Sequence, residues 1–522
     1  INKNILIFYS NDFTFKRLCE NCIVNNFSRG ISKDGYDLNT YYTFQNNTIN
    51  TYGESGYGLY LIVSQNSTIF NNTITTSGYQ GSALYFNPGI NYSNVSQNTL
   101  TTYANWSYGI FPALSYNNVI DSNTIVTYGN TSDGMDAPSS YGNTISNNNI
   151  TIYGEAGGID IVYNSSHNTI SNNVITHSGD DSAALELCEY ATNNTLSNNI
   201  VQITGTDSAG IDICDYAYNN TIINGILNAT LFSDVILENG GNNNVFLNVS
   251  FNKSDVGFEG TSGSIIVRWY VQVNVTDELS SPISSVNVSG YNVTSQVEDS
   301  ALTDANGQAT LTLTEFTQNS SHTTYATPHS VIASLQGYAD DSSSVNLTQT
   351  ESTTVQLTLT NDCAVLNGDY TLVRDITTSG TCFHINASDI TIDGAGYSLT
   401  GDGTGYGINN SGQFDNLIIR NFGNISNFKF PIYTYFMTDS VIYNNTIDIP
   451  AIGGGSGVYL KYSDNNNISL NNITTQSSST GIEGPGADNN DIFYNTISTT
   501  GGTGYGIQFY TSSSSNTLFG NT

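Results

Sequence analysis

The sequence has 522 residues, which is enough for two or three domains with substantial hydrophobic cores. It contains 11 Lys+Arg against 43 Asp+Glu, a formal net charge of −32, so its surface would repel nucleic acids and anionic membranes. No run of about 18 apolar residues is present, and we therefore expect no membrane span in this segment.

Short repeats fill the N-terminal half of the chain, from about Asp12 to Phe251. An Asn-rich unit closed by Ile or Leu recurs about every 25 residues, as in Asn72-Thr73-Ile74, and each period also holds a Gly-apolar-x-apolar run such as Gly158-Ile159-Asp160-Ile161. Three short strands per period, without helical periodicity, predict a parallel β-helix, because a propeller blade or a leucine-rich repeat has a different length or frame. Coils stacked about 4.8 Å apart would align like side chains, with Ile and Leu inside and Asn at the turns.

The same units return from about Cys363 to Thr522. Residues 516–522 stop before the Ile that closes the corresponding unit at Asn66–Ile74, so we interpret the sequence as part of a longer protein. Between the two repetitive regions, residues 264–360 hold longer alternating strands and fewer Asn turns, which is typical of an immunoglobulin-like β-sandwich.

The repeats resemble the NosD-like, PbH1-type parallel β-helix repeats of surface proteins, and Asp389–Gly396 resembles their opening signature. In the middle region, the turns at Thr303–Gly307 and at Gly337-Tyr338 resemble carboxypeptidase-regulatory-like spacer domains. The first resemblance implies a right-handed helix but little about activity, because the fold hosts lyases, hydrolases, adhesins and scaffolds. We expect an all-β protein in which two right-handed parallel β-helices, residues 1–263 and 361–522, flank an Ig-like β-sandwich at residues 264–360.

Acidic residues recur at one strand position of the first β-helix. Alternation along the strands predicts that they point to solvent in a single column, which consists of Asp136, Asp160, Glu186 and Asp212. A less regular acidic set lies at the preceding turn and consists of Asp133, Glu155, Asp180, Asp181 and Asp207. Few Lys or Arg residues are available to neutralise these charges, so the column is a candidate site for divalent cations, with Ca²⁺ as a possible cofactor between coils. A solvated acidic face is the alternative.

A polysaccharide hydrolase is a competing interpretation, since sugar hydrolysis uses paired carboxylates. Gly179-Asp180-Asp181 and Asn130–Gly134 resemble polygalacturonase motifs, but they stand two coils apart, and the other motifs of that family are missing. A column of Tyr103, Tyr128 and Tyr153, echoed by Tyr52, is either a platform for sugar rings or a stabilising ladder, and we favour the ladder. We expect no catalytic residues.

Cysteine positions predict two disulfides and an oxidising, extracytoplasmic setting. Cys188 and Cys214 stand about one repeat apart, so stacked coils would bring their Cα atoms within disulfide range. Cys363 and Cys382 bracket the start of the second repetitive region. Many Asn-x-Ser/Thr sequons lie at the Asn-Asn-Thr turn, where we expect internal ladder residues, and the better glycosylation candidates lie elsewhere: Asn91, Asn105, Asn252, Asn274 and Asn319.

Together these features predict a non-enzymatic extracellular or cell-surface protein. Its role would be that of a subunit of a surface layer, sheath or filamentous appendage, with an adhesive function in some settings. We expect self-association through β-rich ends and faces, and contact with glycans or a neighbouring cell surface. The alternative is a carbohydrate-active enzyme or a glycan-binding adhesin that uses the acidic and Tyr-rich face of the first β-helix.

Overall fold

The computed structural model describes residues 17–27, 30–33, 41–260, 263–277, 280–335, 338–347, 353–361, 363–450, 454–500 and 502–522. Every regular element in these residues is a β-strand. The start of the predicted repeats at Asp12, and Gly337 of the predicted sandwich turn, lie outside the described residues. The all-β class that the sequence predicts is confirmed.

Three parallel sheets, which we name A, B and C in chain order within each coil, form the first β-helix. Sheet A contains Arg17–Glu20, Tyr42–Gln45, Thr68–Phe70, Asn94–Ser96, Val119–Asp121, Thr144–Ser146, Thr169–Ser171, Thr195–Ser197, Thr221–Ile223 and Asn244–Leu247. Sheet B contains Ile23–Phe27, Thr48–Thr51, Thr73–Thr76, Thr99–Thr102, Thr124–Thr127, Asn149–Ile152, Val174–His177, Ile200–Ile203 and Ile226–Ala229. Sheet C contains Ile31–Lys33, Leu59–Leu61, Leu84–Phe86, Ile110–Pro112, Met135–Asp136, Ile159–Ile161, Ala183–Leu187, Ala209–Ile213, Val235–Glu238 and Val256–Glu259. A short extra pair joins Ser64–Gln65 to Ile90–Asn91.

Buried asparagines tie each coil to the next. The Asn123 side chain accepts hydrogen bonds from the backbone N–H and the amide of Asn98, donates to the Val95 carbonyl at 2.9 Å, and donates to Asn148 at 3.0 Å. The same pattern repeats along the stack, beside columns of fully buried Ile and Leu side chains. Because each amide is fully paired inside the helix, the Asn units fix both the turn and the register of the coils.

The buried asparagines that bond from coil to coil form a ladder, and the residue before each of them turns the chain. Asn71 has a φ of 51° and is exposed, while Asn72 next to it is buried. Asn adopts this left-handed conformation more readily than most residues, which explains the doublet. The prediction that the sequon Asn of the Asn-Asn-Thr turn is an internal ladder residue is therefore wrong: the sequon begins at the first, exposed Asn, and the second Asn forms the ladder.

The middle region consists of two packed sheets. One is built on the strand Ser264–Asp277, which pairs with Gln308–Asn319 and Thr353–Asn361, and these pair in turn with Thr323–Tyr325 and Tyr338–Ala339. The other contains Val297–Leu302, Asn287–Tyr291, His329–Ser334 and Asp341–Val345. Long alternating strands bury one face of each sheet around Val271, Leu313 and Val331.

The strand Ser264–Asp277 belongs to both the first β-helix and the middle region. Its first residues pair in parallel with Asn244–Leu247 of the last coil, and its later residues pair with the strands of the middle region. Lys253, from the turn of the last coil, forms an ion pair with the buried Glu315, which also accepts a 2.6 Å hydrogen bond from Trp269 Nε1. Because this strand is shared, one continuous hydrophobic core runs through the first β-helix and the middle region.

The second β-helix repeats the three-sheet plan, and we name its sheets A′, B′ and C′ after their counterparts. Sheet C′ contains Val365–Leu366, Phe383–Ile385, Tyr406–Asn410, Phe430–Tyr435, Ser456–Lys461, Thr480–Pro485 and Ile507–Tyr510. Sheet A′ contains Tyr370–Thr371, Thr391–Asp393, Ile418–Arg420, Val441–Tyr443, Asn467–Ser469, Asp491–Phe493 and Thr517–Phe519. Sheet B′ contains Ile376–Thr377, Ser398–Thr400, Asn424–Ser426, Thr446–Ile449, Asn472–Thr475 and Thr496–Thr499. Its hydrophobic core is separate from that of the first β-helix.

Candidate functional site

One outward column of sheet C carries the chemically distinctive residues of the first β-helix. Each strand there buries the residues on either side of its middle position, so the middle side chain points outward. Register pairs Tyr60 with Tyr85 and Tyr85 with Phe111. The acidic continuation of the column lies in the next coils, where register pairs Asp136 with Asp160, Asp160 with Glu186, and Glu186 with Asp212.

Stacked aromatic rings form the first part of this column. Tyr85 lies with its ring centroid 4.4 Å from Tyr57, 5.6 Å from Tyr60 and 4.8 Å from Phe111. Tyr108 continues the stack, 5.0 Å from Phe111. These rings are half-buried, and they extend over three coils next to the first carboxyl groups. The sequence analysis missed this stack, although following the middle position of the Gly-apolar-x-apolar run from Tyr60 to Asp136 would have found it.

The acidic part of the column is recessed, and the prediction that all four side chains point freely to solvent is wrong. Asp160 is only 7% exposed, while Asp136, Glu186 and Asp212 are half-buried. The preceding turns fold against the strands: Asp133 accepts a 2.6 Å hydrogen bond from the Gly157 N–H, and a Cβ atom at Gly157 would collide with the Asp160 carboxylate. Alternation gave the direction of these side chains, but it could not show that a turn covers them.

Burial disfavours the charged form of these carboxyl groups and so raises their pKa values. It raises the pKa of Asp136 to about 8, with further contributions from the charges of Asp133, Glu186 and Glu189. Burial also raises the pKa of Asp212 to about 8, that of Glu186 to about 7, and that of Asp133 to about 6 against the opposing effect of the Gly157 N–H. The pKa of Asp160 is raised as well, by burial and by the charge of Asp133.

A groove of about 400 Å³ opens beside the Asp212 end of the column. Ala183, Ala209, Phe232 and Ile236 supply its apolar lining, and the carboxyl groups that line it are Asp181, Glu186, Asp207, Asp212, Glu238 and Glu259. The structure thus brings Asp181 and Asp207 of the second acidic set to the same groove as Glu186 and Asp212. Glu155 and Asp180 remain exposed, bonded to Asn130 and to the Thr206 N–H.

The cysteines lie in the arrangement that would form two disulfides. Cys188 is bonded to Cys214 and Cys363 to Cys382, with Cα–Cα distances of 4.5 and 4.4 Å. Glu186, Cys188 and Cys214 place ligand atoms within 4.8 Å of one another, but both sulfurs are used in the disulfide. Cys19 and Cys22 form no disulfide, and burial raises the pKa of the Cys19 thiol to about 12.

A second aromatic ladder stands at the turn after sheet B. Tyr128 stacks 4.9 Å from Tyr103 and 4.7 Å from Tyr153, with the rings within 8° of parallel. The three side chains are exposed and lie close to Asn105 and Asn130 in the chain rather than in the acidic column. Their regular spacing follows from the coil repeat.

The candidate glycosylation sequons differ in how their Asn side chains are held. Asn105 and Asn252 are exposed, and Asn91, Asn274 and Asn319 are half-buried. Asn91 and Asn105 accept hydrogen bonds from the Tyr116 and Asn130 N–H groups of the next coil. Asn252 and Asn319 instead accept hydrogen bonds from the hydroxyl groups of their own sequon residues Ser254 and Ser321.

Comparison with known proteins gives a family for the C-terminal part of the chain. Residues 339–522 match the family model described as periplasmic copper-binding protein (NosD). No curated protein matches the sequence. Among the described residues there is no helix of the length and apolarity that a membrane crossing requires.

Two solved structures are similar to the chain at low identity. One is the Azotobacter vinelandii mannuronan C-5 epimerase AlgE6 A-module, 12% identical, covering 92% of this chain and 91% of that one, with a TM-score of 0.24. The other is a point mutant of the periplasmic alginate epimerase AlgG, 8% identical, covering 92% of this chain and 77% of that one, with a TM-score of 0.16. At these TM-scores neither likeness carries an argument about activity. The stacked coils show a parallel β-helix fold, and residues 339–522 are similar to the NosD family.

Proposed function

We propose that the chain is an extracytoplasmic adhesive scaffold that binds a glycan along sheet C of the first β-helix. The observation that carries this proposal is the continuous outward column in which stacked rings lead directly into a row of carboxyl groups. Aromatic rings present apolar faces to sugar rings, and polar groups beside them fix the orientation of a ligand. The match to a periplasmic family is compatible with a location outside the cytoplasm.

The charge of the protein narrows the class of glycan. The column and its groove contain several carboxyl groups, and the whole chain has a formal net charge of −32. A polyanionic glycan would therefore be repelled, whereas a neutral or amino-sugar polymer would not. We expect binding to neutral glucans, mannans or chitosan and weak or no binding to alginate or pectate.

Affinity electrophoresis in gels that contain each of these polymers tests the proposal. Tyr85→Ala and Phe111→Ala should weaken retardation about tenfold or more, because each removes a ring from the centre of the stack. Tyr128→Ala is the matched control, since it removes an equally well stacked ring from a different turn of the same helix. Equal loss in all three variants, or no retardation by any neutral or cationic polymer, would contradict the proposal.

Catalysis on a glycan is a second candidate, and the pair of Asp133 and Asp160 favours it. The two carboxyl groups are neighbours, and burial raises the pKa of both, which suits general acid–base chemistry. New reducing ends or unsaturated products, lost in Asp160→Asn, would establish this activity. Binding without products would leave the adhesive function.

Self-association is part of the proposed scaffold function. Val174, Ile200 and Ile226 form an exposed apolar column on sheet B, where the earlier coils carry mostly Thr at the same position. Exposed aligned apolar side chains favour contact with another surface. Electron microscopy and light scattering should show polymers that weaken in Ile200→Thr; a monodisperse protein at every concentration would contradict self-association.

A further inference from the structure

The Asp160 carboxyl group is unusual in its environment. The residue is only 7% exposed, and its Oδ1 atom has no hydrogen-bond partner in the described part of the chain. Its carboxyl group faces Asp133, which is held in place by the Gly157 N–H. A buried carboxyl oxygen without a partner is costly, so this position calls for a ligand.

Two further carboxyl groups lie around Asp160. Asp136 stacks on it from the preceding coil and also has a buried Oδ1 without a partner among the described residues, and Glu186 stacks on it from the following coil. Carboxylates stacked about 5 Å apart repel each other by about 0.8 kcal/mol in water, and by several-fold more near a protein surface. Acidic residues of three adjacent coils and one turn are therefore neighbours on this face of sheet C.

Basic side chains do not neutralise this cluster. The ion pairs found among the described residues are Lys253–Glu315, His329–Glu298 and Arg420–Asp393, and all of them lie in the middle region, its junction or the second β-helix. A phenol that faces the cluster, Tyr108, has its own pKa raised by burial and by the charges of Asp136, Asp133 and Asp160. These carboxyl groups are therefore left to bind either protons, as their raised pKa values reflect, or a cation from outside the chain.

We propose that Asp133, Asp136 and Asp160 form a binding site for one divalent cation of the calcium class, with Glu186 as an additional or water-mediated ligand. The donors are all oxygen atoms, which suits a hard cation, and the Cys188 and Cys214 sulfurs that lie near Glu186 are used in a disulfide. Ca²⁺ fits better than Mg²⁺, because it accepts six to eight irregularly placed oxygens that include water, whereas Mg²⁺ demands a near-ideal octahedron.

The site is narrower than the column that the sequence suggested. It combines Asp133 from the turn with Asp136 and Asp160 from sheet C, and it leaves Asp212 in the adjoining groove, which Glu186 also lines. It does not depend on glycan binding, because the rings of Tyr57, Tyr60 and Tyr85 contribute no ligand to it. A cation here would also join two adjacent coils.

Equilibrium dialysis with Ca²⁺ after chelator treatment of the full chain tests the site directly. We expect one bound ion, at least tenfold weaker binding in Asp136→Asn and in Asp160→Asn, and weaker binding of Mg²⁺. Asp180→Asn is the matched control, since it removes an exposed carboxylate of the same β-helix that accepts a hydrogen bond from the Thr206 N–H of the next coil, and it should bind Ca²⁺ as the parent does.

Terbium provides a second readout that does not depend on stability. Tb³⁺ bound at this site should emit when tyrosine is excited, and Tyr108→Phe should reduce that emission without reducing Ca²⁺ binding. Circular dichroism would show that the Asn variants are folded. Absence of Ca²⁺ binding at millimolar concentration, or wild-type binding by folded Asp160→Asn, would overturn the proposal.

Discussion

The two β-helices share their interior and differ on the outward face of the third sheet. Both stack Ile and Asn columns in the same way, as Asn199 and Asn445 illustrate. At the position that carries Asp136, Asp160, Glu186 and Asp212 in sheet C, sheet C′ carries His384, Asn409, Tyr433, Tyr459, Glu483 and Gln508. The interior therefore encodes the fold, while the outward column is where the two regions acquire different chemistry.

Sheet C′ also bears aromatic rings, but in a different setting. Tyr433 lies 4.7 Å from Tyr406 and 5.5 Å from Tyr459, and the single carboxyl group of the column as described, Glu483, accepts a 2.7 Å hydrogen bond from Tyr510. Lys461 lies over Tyr435 at 5.2 Å. A comparison of the two faces thus separates the effect of the acidic column from that of stacked rings as such.

The largest expected difference between the two β-helices is their response to pH. The raised pKa values of Asp136, Glu186 and Asp212 mean that the folded first β-helix retains protons that the unfolded chain has lost. The stabilisation that these bound protons provide should be fully present below about pH 4. The free energy of unfolding should then fall by several kcal/mol as pH rises to about 8, since one pKa unit corresponds to about 1.4 kcal/mol.

The second β-helix should respond in the opposite direction. Partial burial acts to raise the pKa of Asp393, but the Ala395 N–H, Asn421 and Arg420 outweigh it, so the pKa is lowered. Its contribution is present above the ordinary Asp pKa and is lost as pH falls below it. Hydrogen exchange of peptides from each helix, measured with chelator at about pH 2.5, 4, 6 and 8, checks both signs, because the loss at Asp393 lies below the ordinary Asp pKa. Asp136→Asn should flatten the profile of the first helix only; parallel profiles would contradict the assignment.

Loss of the ion pair at the junction should lower the stability of the first β-helix and of the middle region together. Lys253→Met leaves Glu315 as a buried carboxylate that keeps only the Trp269 hydrogen bond, and loss of one partner of a buried ion pair costs about 3–5 kcal/mol. Denaturant unfolding followed by Trp269 fluorescence measures the loss. Protection of the second β-helix against exchange should not change, because its core is separate. Equal loss of protection in both helices would show that the cores are coupled.

A break in the Asn ladder should affect either helix equally. Asn199→Ala removes the acceptor of the Asn173 N–H and of one hydrogen of the Asn173 amide, which keeps its bond to the Ile145 carbonyl, and it removes the donor to the Ile170 carbonyl. Asn445→Ala removes the acceptor of the Phe422 N–H and the donor to the Ile419 carbonyl. Each buried orphan costs about 1–3 kcal/mol, so we expect about 3 kcal/mol locally in each case. The exposed neighbours Asn198→Gly and Asn444→Gly are the controls, since Gly tolerates their positive φ, and they should change stability by less than about 1 kcal/mol.

The smallest expected differences concern the disulfides. The Cys188–Cys214 and Cys363–Cys382 bonds are 26 and 19 residues apart, and the loop entropy of each corresponds to about 3 kcal/mol in the unfolded chain, less any local strain. Peptide mapping without reduction should recover both cross-links and leave Cys19 and Cys22 alkylated. Cys188→Ser with Cys214→Ser should lower the stability of the first helix and leave that of the second helix unchanged. Recovery of all four paired cysteines as free thiols would contradict both bonds.

The sequence predicted the fold better than the site. Asn72-Thr73-Ile74 and its copies predict the coils because each coil repeats the same turn and strand. The parallel register of the sheets confirms an all-β protein with stacked parallel coils. Asp160 was identified as part of a column, but its burial depends on the Gly157 turn of the same coil, which periodicity does not describe. The stack of Tyr85 and Phe111 is hard to predict from the sequence, because the outward position of sheet C changes from aromatic to acidic residues along the coils and so shows no single repeated residue type.

The strand Ser264–Asp277 has a mechanical consequence. A domain joined by a flexible linker swings freely, and a pull on it stretches the linker first. Here the last coil and the middle region share one strand, whose parallel and antiparallel hydrogen bonds run across the direction of the chain. Force applied along this strand would load many of those bonds at once, in shear. In the adhesive scaffold proposed above, this shared strand would transmit tension directly between the first β-helix and the middle region.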